Sequence, residues 1–340
     1  MQGNRRIGVL LGGLSGEREV SLRSGEAILA SLAERGHDAC PVFVDRDLDL
    51  ILRQTGIDVA FIALHGRYGE DGCIQGLLEM LGIPYTGSGV LASALAMHKG
   101  KTKEILRLHN LPTAPGYLVQ SESHETGADA IARHDGFGYP AIVKPAGEGS
   151  SLGVALVRDE MELEAALEEA LRFDDDVLVE RFIEGREISV GVLDGRPLGA
   201  VEIVPRSPSG IYDYQTKYAS GGKSDCYFPA RLTTERYRSA LRLGVLACEA
   251  IGCEGAARVD LILSERGNEV ILEVNTLPGM TPGSLMPKIA HGAGLSFDDL
   301  VDEILKGARL RAHGHRRDRR ALQLDLEGPE RRAGIMPSAH

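Results

Sequence analysis

Ala257-Arg258-Val259-Asp260-Leu261 and Leu272-Glu273-Val274-Asn275-Thr276-Leu277-Pro278-Gly279 decide how this chain is read. In both stretches apolar and polar residues alternate, as in half-buried strands, and the Ser264 to Glu269 segment between them carries Gly267 as a turn residue. A turn centred on Arg266-Gly267 sets Asp260 opposite Glu273 and Arg258 opposite Asn275, and strand alternation puts all four side chains on one face. Two carboxylates and an amide beside an arginine are costly together unless something binds there. Hard oxygen ligands at close quarters suit magnesium, which usually arrives with nucleotide phosphates, so the hairpin reads as the floor of an ATP-using site. The same alternation, taken alone, is also that of an exposed polar face on an amphipathic hairpin.

The rest of the chain narrows the choice. Its 340 residues suggest two or three domains, and 43% hydrophobic with 26% charged residues is ordinary globular material with a large core. A net charge of −11 argues against nucleic acid as a partner, and the absence of Trp argues against stacking platforms for single strands. Five cysteines without a Cys-x-x-Cys fit free thiols in a reducing compartment. The apolar run Ile7 to Leu11 stops at Gly12-Gly13, too short for a signal peptide or a membrane span, so a cytoplasmic protein with no membrane partner is expected.

Strands at Ile7 to Leu11, Cys40 to Val44 and Asp58 to Leu64 alternate with helical patterns, the first helix capped near Ser15, and predict a Rossmann-like parallel α/β layer. The loop Tyr85 to Gly89 opens a long helix through Asn110. Further strands are expected at 116–119, 140–144, 154–157 and 177–183, with an acidic helix from Asp159 to Leu171. A hairpin turns on Asp194-Gly195, and helices follow from Glu235 to Ile251 and from Phe297 to about Leu310. From Ala312 onward apolar periodicity is lost around Arg316, Arg317, Arg319 and Arg320, which reads as a flexible basic tail.

Several motifs carry two readings each. Gly147 to Gly153 is a Gly-rich loop with hydroxyls that can wrap phosphate through backbone N–H groups, or an ordinary flexible hairpin; it is not a Walker loop. Lys144 can reach a phosphate as a point charge, whereas Lys99, Lys101 and Lys103 also fit a solvated helix face. Glu180 and Glu187 suit an adenine or ribose contact, or charge on a strand edge. Glu17 either complements the helix dipole or holds an ammonium in a cleft. His65 ends an α/β strand, where ligands bind, and is also a common place for a hydrogen-bonded structural histidine. Tyr212 to Gly222 is a polar, Tyr-rich loop of lid length.

Taken together, the segments resemble the D-alanine–D-alanine ligases of the ATP-grasp superfamily. The matching runs are Leu11 to Ser21, Ala63-Leu64-His65-Gly66, Gly69-Glu70-Asp71-Gly72, Pro84 to Gly89, Val143-Lys144-Pro145, Glu148-Gly149-Ser150-Ser151, Tyr212-Asp213-Tyr214 with Lys217-Tyr218, and Glu273-Val274-Asn275-Thr276, in family order. The resemblance implies an α/β N-terminal domain over 1–97, a two-lobed ATP-grasp fold (α+β) over 98–184 and 185–311, and the tail 312–340. It also implies ATP-dependent joining of two D-alanines through an acyl phosphate, for peptidoglycan precursor synthesis, by a homodimer.

Site residues follow by the same resemblance. Lys99 and Lys144 contact the phosphates, and the loop with Glu148, Ser150 and Ser151 closes over them. Glu180, Arg181, Ile183 and Glu187 contact adenosine. Asp260, Glu273 and Asn275 hold two Mg2+ ions, for which Mn2+ can substitute. Glu17 binds the first ammonium and connects through Ser150 to Tyr218, locking the lid; His65 lies near that substrate. Ser284 and Lys217 take the second carboxylate, with Lys217 also near the nucleotide. Arg258 and the N–H of Gly279 stabilise the oxyanion. The chain departs from the family pattern at His98, where Asp is usual, at Phe228-Pro229-Ala230, where Cys-Pro-Ala is common, and at Arg181, where Lys is common. Rival readings are a ligase with another second substrate and a non-catalytic regulator; a regulator would be expected to lose Arg258 or the metal ligands, and this chain keeps them. Because residues beyond Arg311 lack an apolar face to dock, truncation there should leave the ligase rate and melting temperature nearly unchanged; a fall of many degrees in calorimetry would show that the tail packs.

Overall fold

The computed structural model describes residues 5–121, 134, 137–150, 152–205 and 224–311. The lid loop Tyr212 to Gly222, Ser151 and the tail from Ala312 lie outside the described residues. The N-terminal layer is as expected. Strand β1 (Ile7–Gly12) is buried throughout and pairs in parallel with β2 (Ala39–Val44) and β3 (Val59–Ile62), in the order β2-β1-β3. Helices α1 (Arg18–Glu34) and α2 (Leu48–Thr55) make the crossovers that parallel strands require, and α3 (Cys73–Leu81) follows β3. A strand covered on both faces reads as a continuous apolar run: Ile7 and Val9 pack with Ile28 and Leu32 of α1, and Leu10 with Leu52 and Leu78 on the other side.

Two local expectations are corrected. Ser15 does not cap α1, which begins at Arg18; its hydroxyl donates to the His65 carbonyl at 2.6 Å and accepts the Glu17 N–H at 3.2 Å, tying the β1 exit to the β3 exit. The long helix expected through Asn110 is two helices, α4 (Val90–Met97) and α5 (Lys99–Leu108). Between them His98 is extended (φ −88°, ψ 97°), its Nδ1 accepting the Lys101 N–H at 3.3 Å and its Nε2 meeting Asp176 Oδ2 at 2.8 Å. A side-chain acceptor at that spacing starts a new helix instead of continuing the old one. The break sets Lys99 at the head of α5, where its N–H donates to the Ala146 carbonyl at 2.8 Å.

Two antiparallel sheets complete the architecture. The first has β4 (Gly116–Gln120), β5 (Ala141–Pro145), β6 (Ala155–Val157) and β7 (Asp176–Arg181) in the order β4-β7-β5-β6, backed by α6 (Glu160–Ala170). The second has β8 (Arg186–Leu193), β9 (Arg196–Pro205), β10 (Ser224–Tyr227), β11 (Ala256–Leu263) and β12 (Glu269–Asn275) in the order β10-β9-β8-β11-β12. Its core packs under α7 (Thr234–Ile251) with α4 and α5. The β8–β9 turn holds Asp194 and Gly195 at φ 47° and 74°, as an Asp-Gly hairpin turn demands.

The register of β11 and β12 is the expected one at the site: Arg258 pairs with Asn275 and Asp260 with Glu273. Nearer the turn Leu261 faces Ile271 and Leu263 faces Glu269, so the turn is centred on Arg266, and a bulge at Leu272 restores the register before Glu273.

The chain then returns to the N-terminal layer through α8 (Leu285–Gly292), which the sequence pattern did not reveal, and α9 (Phe297–Lys306). Met286, Ala290, Leu300 and Ile304 join Ile7 and Phe61 in one core. Arg311 fastens this return. Its guanidinium lies 4.8 Å from the Tyr85 ring, donates to the Tyr85 carbonyl at 3.0 Å and pairs with Glu254 at 2.8 Å, which also pairs with Arg309 at 2.7 Å. Arg311→Ala would leave Glu254 half-compensated and is expected to cost about 2–3 kcal/mol, in contrast to truncation beyond it. Calorimetry should show a melting temperature several degrees lower; an unchanged value would remove this clamp from the stabilising contacts.

Candidate active site

Two cavities meet on the polar face of the β11–β12 hairpin. The smaller, about 260 Å³, is lined by Glu17, His65, Arg258, Asn275, Gly279 and Ser284. The larger, about 630 Å³, runs between the two antiparallel sheets and is lined by Lys144, Glu180, Ile183, Glu187, Asp260 and Ile262 among others. Lys99, Glu148 and Glu273 line both. Elements more than 170 positions apart in the chain therefore share one junction. Arg181 also lines the larger cavity, its guanidinium 5.4 Å from the Phe137 ring.

At the hairpin, Arg258 donates to Asp260 through Nε at 3.0 Å and Nη2 at 2.9 Å, and lies 3.8 Å from Glu273 Oε1. Ser189, on the neighbouring strand β8, donates its hydroxyl to Asp260 at 2.5 Å, and Asn275 Oδ1 accepts the Leu277 N–H at 2.9 Å. Among the described residues no three His, Cys, Asp or Glu side chains come together. The set here is two carboxylates in register and one amide, oxygen donors only, with a single arginine set against both acids. That chemistry fits a hard divalent cation such as Mg2+ held by Asp260, Glu273 and Asn275, and not a soft one.

The Gly-rich loop is held from three directions. Ser150, at φ 52°, donates its hydroxyl to Glu17 Oε1. Glu17 is threaded between two glycines: a Cβ at Gly149 would lie 2.7 Å, and one at Gly66 2.9 Å, from its carboxylate. Lys99 Nζ donates to the Glu148 carbonyl, while the Glu148 carboxylate accepts from Arg67 Nε at 2.8 Å. Arg67, two residues beyond His65, also reaches the Phe173 carbonyl at 3.1 Å. No sequence signal marked Arg67; its role depends on three segments meeting.

His65 is 6% exposed with both ring nitrogens engaged. Nδ1 lies 3.1 Å from the Leu277 carbonyl and 3.4 Å from Glu70, so it carries the proton; Nε2 accepts the hydroxyl of Ser24 at 3.1 Å. Ser24 Oγ in turn accepts the Met280 N–H at 3.2 Å. This buried pair brackets Pro278 and Gly279 from both sides. Burial pushes the Glu70 carboxyl up, and His65 opposes this. Ser284 stands at the head of α8, its hydroxyl 2.8 Å from Thr281 Oγ1, and a Cβ at Gly279 would meet that hydroxyl at 2.8 Å. Ser24 and Glu70 were not singled out as site residues, although Glu70 lies in a motif run and Ser24 three residues beyond one.

The lysines separate. Lys99 lines the junction, but Lys103 is 1% exposed, which overturns the solvated-face reading for it. It lies three positions before the buried Leu106, on the helix face turned inward, and that spacing was the one signal for it. Lys103 and Lys144 both pair with Glu180, which sits on the interior strand β7 and not on a sheet edge. Lys217 and Tyr218 lie outside the described residues.

Comparison with known proteins follows the same lines. Residues 49–88 match the family model for the D-ala D-ala ligase N-terminus and residues 105–306 that for the C-terminus. The D-alanine–D-alanine ligase of Geobacter sulfurreducens is 54% identical over 310 residues, covering 91% of this chain and 96% of that protein. Among solved structures, the D-alanine–D-alanine ligase of Bacillus anthracis complexed with ATP superposes with a TM-score of 0.77 at 34% identity, covering 89% of this chain and 97% of that one. The VanG D-Ala:D-Ser ligase of Enterococcus faecalis does so with 0.78 at 31%, covering 89% and 99%. With two joined cavities on the expected hairpin and this likeness across nine-tenths of its length, the chain belongs to the D-alanine–D-alanine ligase family.

Proposed function

We propose that this protein joins two D-alanines into D-alanyl-D-alanine, cleaving ATP to ADP and phosphate, for peptidoglycan precursor synthesis. The observation that carries the reading is the junction: Lys99, Glu148 and Glu273 line both a cavity between two sheets and a smaller one ringed by Glu17, Arg258 and Ser284. A nucleotide in the larger cavity would end its phosphate chain where a substrate carboxylate in the smaller one begins. The first D-alanine's carboxylate oxygen attacks the γ-phosphorus and ADP leaves. The second D-alanine's amine then attacks the carbonyl of the acyl phosphate, loses a proton, and phosphate departs.

The physical difficulty is bringing two anions into contact, which fixed cations and positioning offset. Lys99 and Lys144 serve the phosphates, and the loop of Glu148, Ser150 and Ser151 covers them. Glu180, Arg181, Ile183 and Glu187 contact adenosine, against an apolar wall that includes Ile262. Glu17 takes the first ammonium, His65 lies beside that substrate, and Ser284 with Lys217 takes the second carboxylate. Arg258 and the Gly279 N–H face the oxyanion. Tyr218, which lies outside the described residues, would by the family resemblance join Ser150 and Glu17 and exclude water. Two Mg2+ ions, or Mn2+ in their place, supply charge neutralisation of the polyphosphate when held by Asp260, Glu273 and Asn275. We place the enzyme in the cytoplasm as a homodimer; among the described residues no helix is long and apolar enough to cross a membrane.

A second reading, ligation with another second substrate, is favoured only by the likeness to a D-Ala:D-Ser ligase. Lys217 would hold the second carboxylate and disfavour the ammonium form of the incoming amine, which favours a dipeptide over an ester. Purified protein with ATP, Mg2+ and equal D-alanine and D-lactate at about pH 7.5 is therefore expected to make D-alanyl-D-alanine; mainly D-alanyl-D-lactate would overturn the reading. Glu273→Gln replaces a charged donor by a neutral amide and should lower turnover by roughly three orders of magnitude with the melting temperature retained, as followed by phosphate release. A folded variant with a near-normal rate would remove the metal assignment.

A further inference from the structure

Lys103 has no part in the chemistry proposed above, yet it reaches from α5 to a buried carboxylate. Its Nζ pairs with Glu180 Oε2 at 2.7 Å, and Lys144 Nζ pairs with the other oxygen, Oε1. Glu180 is 3% exposed and Lys144 9%. Lys144 and Glu180 line the larger cavity and Lys103 does not, so one lysine stands on the ligand side of the acid and the other behind it. Gly116 pairs with Glu180 across the β4–β7 ladder, and a Cβ there would lie 3.0 Å from Glu180 Cβ, so the missing side chain keeps that flank open.

The charge count explains the arrangement. One buried acid with one lysine is a neutral pair, and drawing Lys144 toward a phosphate would strand the carboxylate without a counter-ion, an expensive state. With a second lysine fixed behind it, the acid keeps a partner whatever Lys144 does. The triad then carries one surplus positive charge, and that surplus faces the cavity. Burial pushes the Glu180 carboxyl up, but the two lysines pull it down to about 2, so it is ionised at neutral pH. Burial lowers the Lys103 pKa, and the Glu180 charge opposes this.

We propose that Lys103 is a positioning residue for nucleotide binding: the permanent counter-ion of Glu180, which leaves Lys144 available to the phosphates of a nucleoside triphosphate. The inference rests on the reading that the larger cavity takes ATP. It makes a distinction that a merely structural lysine would not, since only ligands with phosphates should feel its loss.

Isothermal titration of full-length protein with ATP and with adenosine, in the presence of Mg2+, tests it. Lys103→Met is expected to weaken ATP about tenfold or more while adenosine stays within about twofold. Equal weakening of both ligands, or no change for ATP, overturns the proposal. Should Lys103→Met fail to fold, Lys103→Met/Glu180→Gln removes both members of the fixed pair and frees Lys144. Its ratio of ATP to adenosine affinity is expected within about threefold of wild type, and a tenfold fall in that ratio overturns the proposal. Wild-type protein that binds no ATP would overturn the functional reading itself and this inference with it, whereas ATP binding with an unaltered ratio in Lys103→Met overturns this inference alone.

Discussion

Asp260 and Glu273 stand opposite each other on β11 and β12, where like charges across a ladder repel. The surroundings are arranged to make that tolerable. Arg258 sets its guanidinium against both acids, and Ser189 gives Asp260 a further donor from β8. The bulge at Leu272 is what brings the two acids level, since the turn alone would offset them by one residue and send one side chain to the opposite face. Lys99, Lys144 and Arg258 are among the cations that line the two cavities over this acidic floor.

The remaining walls come from distant parts of the chain. Segment 277–284 leaves the hairpin and passes along the end of the N-terminal sheet, with Leu277 in the core on one face and Met280 in the core on the other. Between those anchors, His65 and Ser24 hold the Leu277 carbonyl and the Met280 N–H. Two core anchors plus two side-chain hydrogen bonds restrict rotation of the backbone between them, which includes the Gly279 N–H proposed to face the oxyanion. On the far side of the smaller cavity, Ser150 reaches Glu17 through the gap left by Gly66 and Gly149. One segment lies on each of three sheets or their connections, so the cavity takes its form only when all three are assembled.

Paired charge recurs as a device. Glu180 keeps two lysines, Glu202 accepts from Arg186 and Arg231 along the wall of the larger cavity, and Glu254 ties Arg309 and Arg311 to the Tyr85 loop. Such clusters contribute little net stability compared with apolar packing, but the buried carboxylates Glu180 and Glu202 are strongly intolerant of losing a partner. They fix how the layers join, where a purely apolar contact would allow sliding.

Residue order by itself determined the alternation of strands and helices in the N-terminal layer, the Asp194-Gly195 turn and the pairing of Arg258, Asp260, Glu273 and Asn275, because period-2 and period-3.6 patterns and turn residues are local properties. The motif runs, through their resemblance to a family, also pointed to Glu17, Ser150 and Ser284. What only the tertiary structure decided are properties of contact. The break at His98 depends on Asp176 from another sheet, α8 is buried among residues of the first core, and the helix spacing that turns Lys103 inward does not say that Glu180 meets it. Arg67, Ser24 and Glu70 likewise act on partners between 5 and 256 positions away. A one-dimensional pattern records which face of an element is apolar, but not which charge another element brings to meet it, and that is settled only when the three sheets pack.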